Sequence, residues 1–210
     1  MTVMITGASS GLGYELGKEF QNSGDNLVLL ARKNSFQEKD KIFKKQKIIS
    51  LDLLQANIQD EINTLFKQFL PDVIIHCAGS KLNGDEHPID INLLNQSMNI
   101  NVNNPISINN YFISKAKKQE KHLRIIHISS DAGLTGRASP SYSIAKGALN
   151  TYVKNSARIY KKNNIMICGI LPSKFDKTNI NEVVEIVKNI GKTKNMLYSA
   201  ELITITAGTI

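Results

Sequence analysis

Cysteine is scarce in this 210-residue chain: Cys77 and Cys168 are the only two, each inside an apolar run, Val73-Ile74-Ile75-His76-Cys77 and Ile165-Met166-Ile167-Cys168. That excludes a disulfide framework and a zinc knuckle, so no metal site is expected, and two thiols read as small core residues suit a reducing compartment. No apolar run approaches the roughly 18 residues needed to cross a bilayer. A strand-like segment, Thr2 to Thr6, begins almost at once, so the expectation is a cytoplasmic protein with no membrane partner. Internal repeats, low-complexity tracts and Pro/Gly linkers are also missing, and residues 1–210 are expected to form one domain. A chain this long buries about 70% of its unfolded surface without staples. The formal net charge of +8 invites an anionic partner. The lysines, however, cluster in solvated-looking stretches such as Lys39 to Lys47 and Lys115 to Lys121, without an array of stacking aromatics, so nucleic acid is not expected.

Short β-branched runs alternate with stretches of helical periodicity, the pattern of a parallel sheet covered on both faces by crossover helices. Strands are predicted over Thr2 to Thr6, Asn26 to Ala31, Lys47 to Leu51, Asp72 to Cys77, Leu123 to Ile128, Ile165 to Leu171 and Leu202 to Thr206. Helices are predicted over Leu12 to Ser23, Ile58 to Phe69, Asp90 to Lys118, Tyr142 to Asn163 and Asn181 to Gly191, with a short one over Gln37 to Lys45. Ser139-Pro140 is a helix entry and Pro71 a stop. The fold class is therefore α/β, doubly wound, with a seven-stranded parallel sheet.

The first strand runs straight into Thr6-Gly7-Ala8-Ser9-Ser10-Gly11-Leu12-Gly13 and then into a helix whose apolar positions are Leu12, Leu16 and Phe20. A helix start presents unpaired N–H groups and a positive dipole end, and glycines there let a pyrophosphate reach the main chain. Dinucleotide sites usually place an acid at the end of the second strand to hold the adenosine ribose. Here that strand ends Val28-Leu29-Leu30-Ala31-Arg32-Lys33. No acid repels a 2′-phosphate and the Arg32 fork could clamp one, so NADPH is expected in preference to NADH, with NAD(H) still possible. Further on, Ser50-Leu51-Asp52-Leu53 closes the third strand. Asp52 either accepts a hydrogen bond from the adenine amine, with Leu53 packed on the ring, or caps the following helix.

Tyr142 and Lys146 are four apart in a predicted helix and so share a face. An adjacent cation stabilises a phenolate, which lowers the phenol pKa and makes the tyrosine usable as a general acid or base. Upstream, His127-Ile128-Ser129-Ser130-Asp131-Ala132-Gly133 is a strand ending in hydroxyls. Ser130 would emerge at the carboxyl end of the sheet, where a hydroxyl can bond a carbonyl oxygen as negative charge grows on it.

With these stretches the whole chain resembles the short-chain dehydrogenase/reductase family. Further matches are Ala78-Gly79 after the fourth strand and Asn99-Ile100-Asn101-Val102. The resemblance implies a Rossmann-type sheet in the order 3-2-1-4-5-6-7. It also implies that Gly7, Ser9, Ser10, Gly11, Leu12, Gly13, Arg32, Asp52, Leu53, Ala78, Gly79 and Pro172 hold the dinucleotide. Tyr142 is then the proton donor or acceptor, Lys146 binds the nicotinamide ribose and depresses the tyrosine pKa, Ser130 positions the substrate oxygen, and Asn101 holds a water that links Lys146 to solvent.

The family pattern is not followed everywhere. His76-Cys77-Ala78-Gly79 stands where Asn-Asn-Ala-Gly is usual, and His76 is read as a core histidine. Ser130 precedes Tyr142 by 12 positions, one fewer than usual, which leaves Ser129 as the alternative serine. Pro172-Ser173 replaces Pro-Gly, and Thr178 is a candidate contact at an unusual offset. About nine residues separate Pro172 from the next helix, where relatives carry a longer lid. An open cleft is expected, with specificity from Lys81 to Pro88, from Arg137 or from a partner subunit. The leading expectation is an NADPH-dependent oxidoreductase acting on a small carbonyl or alcohol substrate. The alternative is an NADP(H)-binding sensor or scaffold of the same fold. Two long helices on one side of the sheet suggest a homodimer or homotetramer.

Overall fold

The computed structural model describes residues 1–32, 35–36, 38–173 and 180–206. Seven strands, β1 (Thr2–Thr6), β2 (Asn26–Ala31), β3 (Lys47–Ser50), β4 (Val73–His76), β5 (Leu123–Ile128), β6 (Ile165–Pro172) and β7 (Leu202–Ile205), form one sheet. Its order is β3-β2-β1-β4-β5-β6-β7 and every pairing is parallel. Central strands read as unbroken apolar runs because both faces are covered: β4 and β6 are buried at every residue.

The helices are α1 (Gly11–Asn22), α2 (Gln59–Leu65), α3 (Ile91–Met98), α4 (Asn104–Lys118), α5 (Ala132–Thr135), α6 (Pro140–Tyr160) and α7 (Ile180–Lys192). One apolar layer joins Leu12, Leu16 and Phe20 of α1 to Val183, Val187 and Ile190 of α7 across one sheet face. The other joins Ile108 and Phe112 of α4 to Val153 and Ala157 of α6. No helix among the described residues is long and apolar enough to cross a membrane.

Several predicted bounds change. The segment 90–118 is not one uniform helix: a π-helical turn, Asn99–Asn103, separates α3 from α4. The helix expected to reach Phe69 stops at Leu65, and beyond it the Lys115 ammonium takes the carbonyls of Phe66, Lys67 and Phe69 at 3.2, 2.8 and 2.8 Å. The segment around Gln37 to Lys45 is a 3-10 turn, Glu38–Phe43, and Gln37 lies outside the described residues. The glycine-marked loop after β5 carries the one-turn helix α5. Helix α6 opens at the Ser139-Pro140 step, as its sequence indicates. Cys168 is buried, whereas Cys77 is half-buried, packing against the core on one side and lining a cleft on the other.

Candidate active site

The glycine turn sits where β1 feeds α1. Gly7 has φ +67°, and a Cβ there would stand 2.8 Å from the Ala78 backbone, so only glycine lets the turn lie against the end of β4. Thr6 Oγ1 accepts the Ala78 N–H at 3.1 Å and fastens the same two segments. Gly11, at φ +54°, opens α1 with no atom within 4 Å of a would-be Cβ. A helix N-terminus facing open space suits a phosphate. Gly13 faces the other way, and its Cβ would meet Gly7 O at 2.5 Å.

A cleft of about 630 Å³ runs along the carboxyl ends of β1, β2 and β4. Gly7, Ser9, Ser10, Gly11, Leu12, Arg32, Asp52, Leu53, Ala78 and Gly79 all line it. Gly13, Tyr142, Lys146 and Pro172 are not on its wall. Gly13 packs behind the turn, and Pro172 is buried, its carbonyl accepting the Asp131 N–H at 3.4 Å. Lys33 and Thr178 lie outside the described residues.

At the far end, exposed Arg32 borders a second hollow of about 620 Å³ with Ser35, Asp52 and Glu61. Ser35 Oγ donates to Arg32 O at 2.6 Å. The Asp52 carboxylate accepts the Leu54 N–H at 3.0 Å and does not cap α2, whose Gln59 N–H goes to Asn57 Oδ1 at 2.9 Å. Buried Asn104 holds this loop from α4, donating to Leu53 O at 2.9 Å and Gln55 O at 2.8 Å. The Arg-x-x-Ser spacing was the available signal for Ser35. Asn104 is hidden among four neighbouring asparagines.

Tyr142, Lys146, Ser130 and Asn101 converge beside the cleft. Lys146 Nζ lies 5.5 Å from the Tyr142 ring centre and donates to Ile128 O at 2.9 Å. It is 3% exposed, and burial lowers the ammonium to about 8. Burial also pushes the Tyr142 phenol above its ordinary value. A hydrogen bond with Ser130 opposes the rise and the Asp131 charge adds to it. The sequence predicts a lowered phenol, but here desolvation by burial dominates and raises it.

Ser129 and Ser130 separate cleanly. Ser129 Oγ donates to Asn150 Oδ1 at 2.6 Å inside the core, while Ser130 Oγ accepts the Ala132 N–H at 3.1 Å and stands near enough to the Tyr142 phenol to oppose the rise in its pKa. The π turn aims Asn101: its Nδ2 donates to Ser97 O at 3.0 Å, and its Oδ1 is buried without a partner among the described residues. A Cβ on Gly79 would stand 2.8 Å from Asn101 Oδ1 and 3.3 Å from Lys146 Nζ, so this glycine keeps the space between amide and ammonium open.

Two features escape sequence reasoning. Asp85, buried in the loop between β4 and α3, accepts the N–H of Ser141 at 3.1 Å and of Tyr142 at 3.3 Å. Beneath Lys146 the rings of His76 and His127 stack with centres 4.6 Å apart. Asn109 bridges them, its Oδ1 2.8 Å from His76 Nε2 and its Nδ2 2.9 Å from His127 Nε2. Burial lowers His76 to about 4, with the Asn109 bond opposing and Lys146 adding, and burial also holds His127 well below its ordinary value, with His76 and Lys146 adding. Both rings are neutral at pH 7, in keeping with a core histidine at position 76.

The sequence profile described as short chain dehydrogenase matches residues 1–188. The 3-ketodihydrosphingosine reductase of Bos taurus is 27% identical over 187 residues, 83% of this chain, and the 3-dehydrosphinganine reductase of Danio rerio 25% identical over the same share. The chain spans only 56% of either relative's length. Oxidoreductase YmfI of Bacillus subtilis is 25% identical over 86% of this chain and 77% of its own. Among solved structures, 4-hydroxyisoleucine dehydrogenase complexed with NADH superposes with a TM-score of 0.86 at 20% identity, over 99% of this chain and 97% of that one. BdcA in complex with NADPH superposes at 0.79 and 18% identity, over 98% and 92%. These two share the fold. By the match over most of its length, the chain belongs to the short-chain dehydrogenase family.

Proposed function

We propose that the protein is an NADPH-dependent oxidoreductase that interconverts a carbonyl and an alcohol on a small molecule, with Tyr142 as the acid or base at the substrate oxygen. The observation that carries this reading is the meeting of Tyr142, Ser130, Lys146 and Asn101 beside a cleft that is lined by a glycine-built helix start. The cleft fits a dinucleotide, since the space before Gly11 is open to a diphosphate and Arg32 stands at the adenosine end without an acid beside it in the chain. When bound, the nicotinamide exchanges a hydride with the substrate carbon.

The chain's own groups manage the proton and the charge. Ser130 and Tyr142 hold the substrate oxygen between two hydroxyls, where negative charge develops. Tyr142 passes its proton to that oxygen in reduction and takes it back in oxidation. Lys146, at about 8, carries a charge at neutral pH that favours the phenolate from 5.5 Å off the Tyr142 ring centre while one of its N–H groups stays on Ile128 O. The gap kept by Gly79 between Asn101 Oδ1 and Lys146 Nζ supports a water-borne relay to solvent. Exposed Ile144 and Ile159 on α6 support self-association through that helix.

Tyr142→Phe tests the assignment: NADPH binding persists while oxidation of NADPH against a panel of aldehydes and ketones is lost. Near wild-type turnover in the variant would defeat it. A second reading, an NADP(H)-binding sensor, draws support from the raised phenol of Tyr142 and the short run from Pro172 to Ile180. Against it, a buried ammonium beside a phenol is costly to maintain without chemistry to perform.

A further inference from the structure

The loop after β4 brings a second ammonium to the tyrosine. Lys81 Nζ lies 5.6 Å from the Tyr142 ring centre, a distance matched by Lys146 at 5.5 Å. The two lysines differ in every other respect. Lys146 is buried and spends a proton on Ile128 O. Lys81 is exposed, lines the cleft, and among the described residues has no carboxylate within ion-pairing distance. The carboxylate whose charge raises the Tyr142 phenol is Asp131, 3.4 Å from Ser130 Oγ.

The loop that carries Lys81 is fastened. Four residues on, buried Asp85 takes the N–H groups of Ser141 and Tyr142, so the loop is tied to the very turn of α6 that holds the phenol. At its other end Ser80 O accepts from Asn101 Nδ2 at 3.4 Å. The base of Lys81 is therefore fixed against both Asn101 and Tyr142 while its ammonium reaches over the ring. The Lys81 ammonium is solvated and its contact with the half-buried ring is correspondingly weak, so a carboxylate arriving in the cleft displaces that contact readily.

We propose that Lys81 is a specificity-determining residue that binds an anionic group of the substrate, so that the substrate is a small oxo acid or hydroxy acid with its carboxylate a few atoms from the reacting carbon. This rests on the oxidoreductase reading above. With the oxygen between Ser130 and Tyr142, a neighbouring carboxylate falls within the sweep of the Lys81 stem. A single ammonium on a flexible stem suits a carboxylate as a point charge, whereas planar bidentate recognition would call for arginine.

The test is calorimetric titration of the protein holding NADP⁺, which cannot reduce a ketone, with pyruvate, 4-oxopentanoate and the methyl ester of each. At least one acid is expected to bind about tenfold tighter than its ester, the worth of one charge-assisted hydrogen bond. Lys81→Gln is expected to bring that ratio to about one, and Lys81→Arg to keep a preference for the acid. Equal binding of acid and ester, no binding of either acid, or a preference that survives Lys81→Gln overturns the proposal. So does a variant that weakens NADP⁺ and leaves the ratio unchanged, which would make Lys81 a cofactor contact. Failure to bind NADP⁺ at all appears in the first titration and counts against the oxidoreductase reading itself.

Discussion

The Asp85 carboxylate accepts the backbone N–H of Tyr142 at 3.3 Å, and of Ser141 at 3.1 Å, across 57 and 56 positions of sequence. The N-terminal turn of α6 has no side-chain cap from its own Ser139. Asp85 supplies it from outside the helix, and its negative charge faces the positive end of the helix dipole. Burial alone would push the Asp85 carboxyl up. The hydroxyls of Ser141 and Ser139 and the two backbone N–H groups outweigh it and hold the carboxyl below its ordinary value.

Removing that cap is expected to cost stability and turnover together. Asp85→Ala leaves two buried N–H groups without their acceptor, worth about 1–2 kcal/mol, or a Tm lower by about 2–8 °C in a domain of this size. The same change frees the turn that aims Tyr142, and a displacement of about 1 Å at a reacting group can cost on the order of a hundredfold in rate. We expect kcat at 25 °C, far below the unfolding transition, to fall at least tenfold in Asp85→Ala and to recover largely in Asp85→Asn, which keeps an oxygen acceptor. A lowered Tm with kcat intact would reduce Asp85 to a structural cap.

Lys146 sets stability against function. Its ammonium is held by burial at about 8 in the folded chain, below the ordinary lysine value of 10.5. The unfolded chain therefore binds more protons than the folded one between about pH 8 and pH 10.5, and folding stability rises with pH across that window. Below it the full penalty of a buried charge is present. Lys146→Met, measured without cofactor, is expected to raise Tm at pH 7 while abolishing turnover. Its advantage should shrink as pH climbs through 8 toward 10.5, by at most about 1.4 kcal/mol per pH unit. Differential scanning fluorimetry of both proteins at pH 7, 8.5 and 10 reads the trend, and a Tm advantage that is absent or grows with pH would contradict it.

The sheet was legible in the sequence because its central strands are covered on both faces and so appear as unbroken apolar runs such as Val73 to His76 and Ile165 to Leu171. The glycine turn was legible because Gly7 and Gly11 occupy backbone conformations that other residues avoid. What stayed hidden depends on contacts distant in sequence. Ser130 is distinguished from Ser129 only by Asn150, which takes the Ser129 hydroxyl 21 residues downstream. His76 and His127 become register partners only once β4 lies beside β5, and nothing local marks Asn109 as their bridge. The π turn that aims Asn101 has no periodicity of its own, since one widened turn leaves the flanking helical pattern intact. Even the sign of the Tyr142 shift was out of reach, because it turns on how deeply the phenol is buried.

In the proposed function Arg32 carries the choice between the two nicotinamide dinucleotides, which differ by one phosphate on the adenosine ribose. Its guanidinium stands exposed at the adenosine hollow with Ser35, whose hydroxyl closes the turn onto Arg32 O at 2.6 Å and fixes where the side chain departs. Glu61, on the same hollow, carries the opposite charge, so a 2′-phosphate there depends on Arg32 to offset that repulsion. A charge-assisted bond of about 1.5–3 kcal/mol corresponds to roughly 10- to 150-fold in affinity. Arg32→Ala is therefore expected to weaken NADPH within that range and to leave NADH within about threefold of wild type. Because the contact lies at the surface, the wild-type preference should also narrow as salt rises from 50 to 500 mM. A wild-type protein with the higher kcat/KM for NADH, or an alanine variant that weakens both dinucleotides alike, would remove Arg32 from this role and return the selectivity to Asp52 and the loop that Asn104 holds.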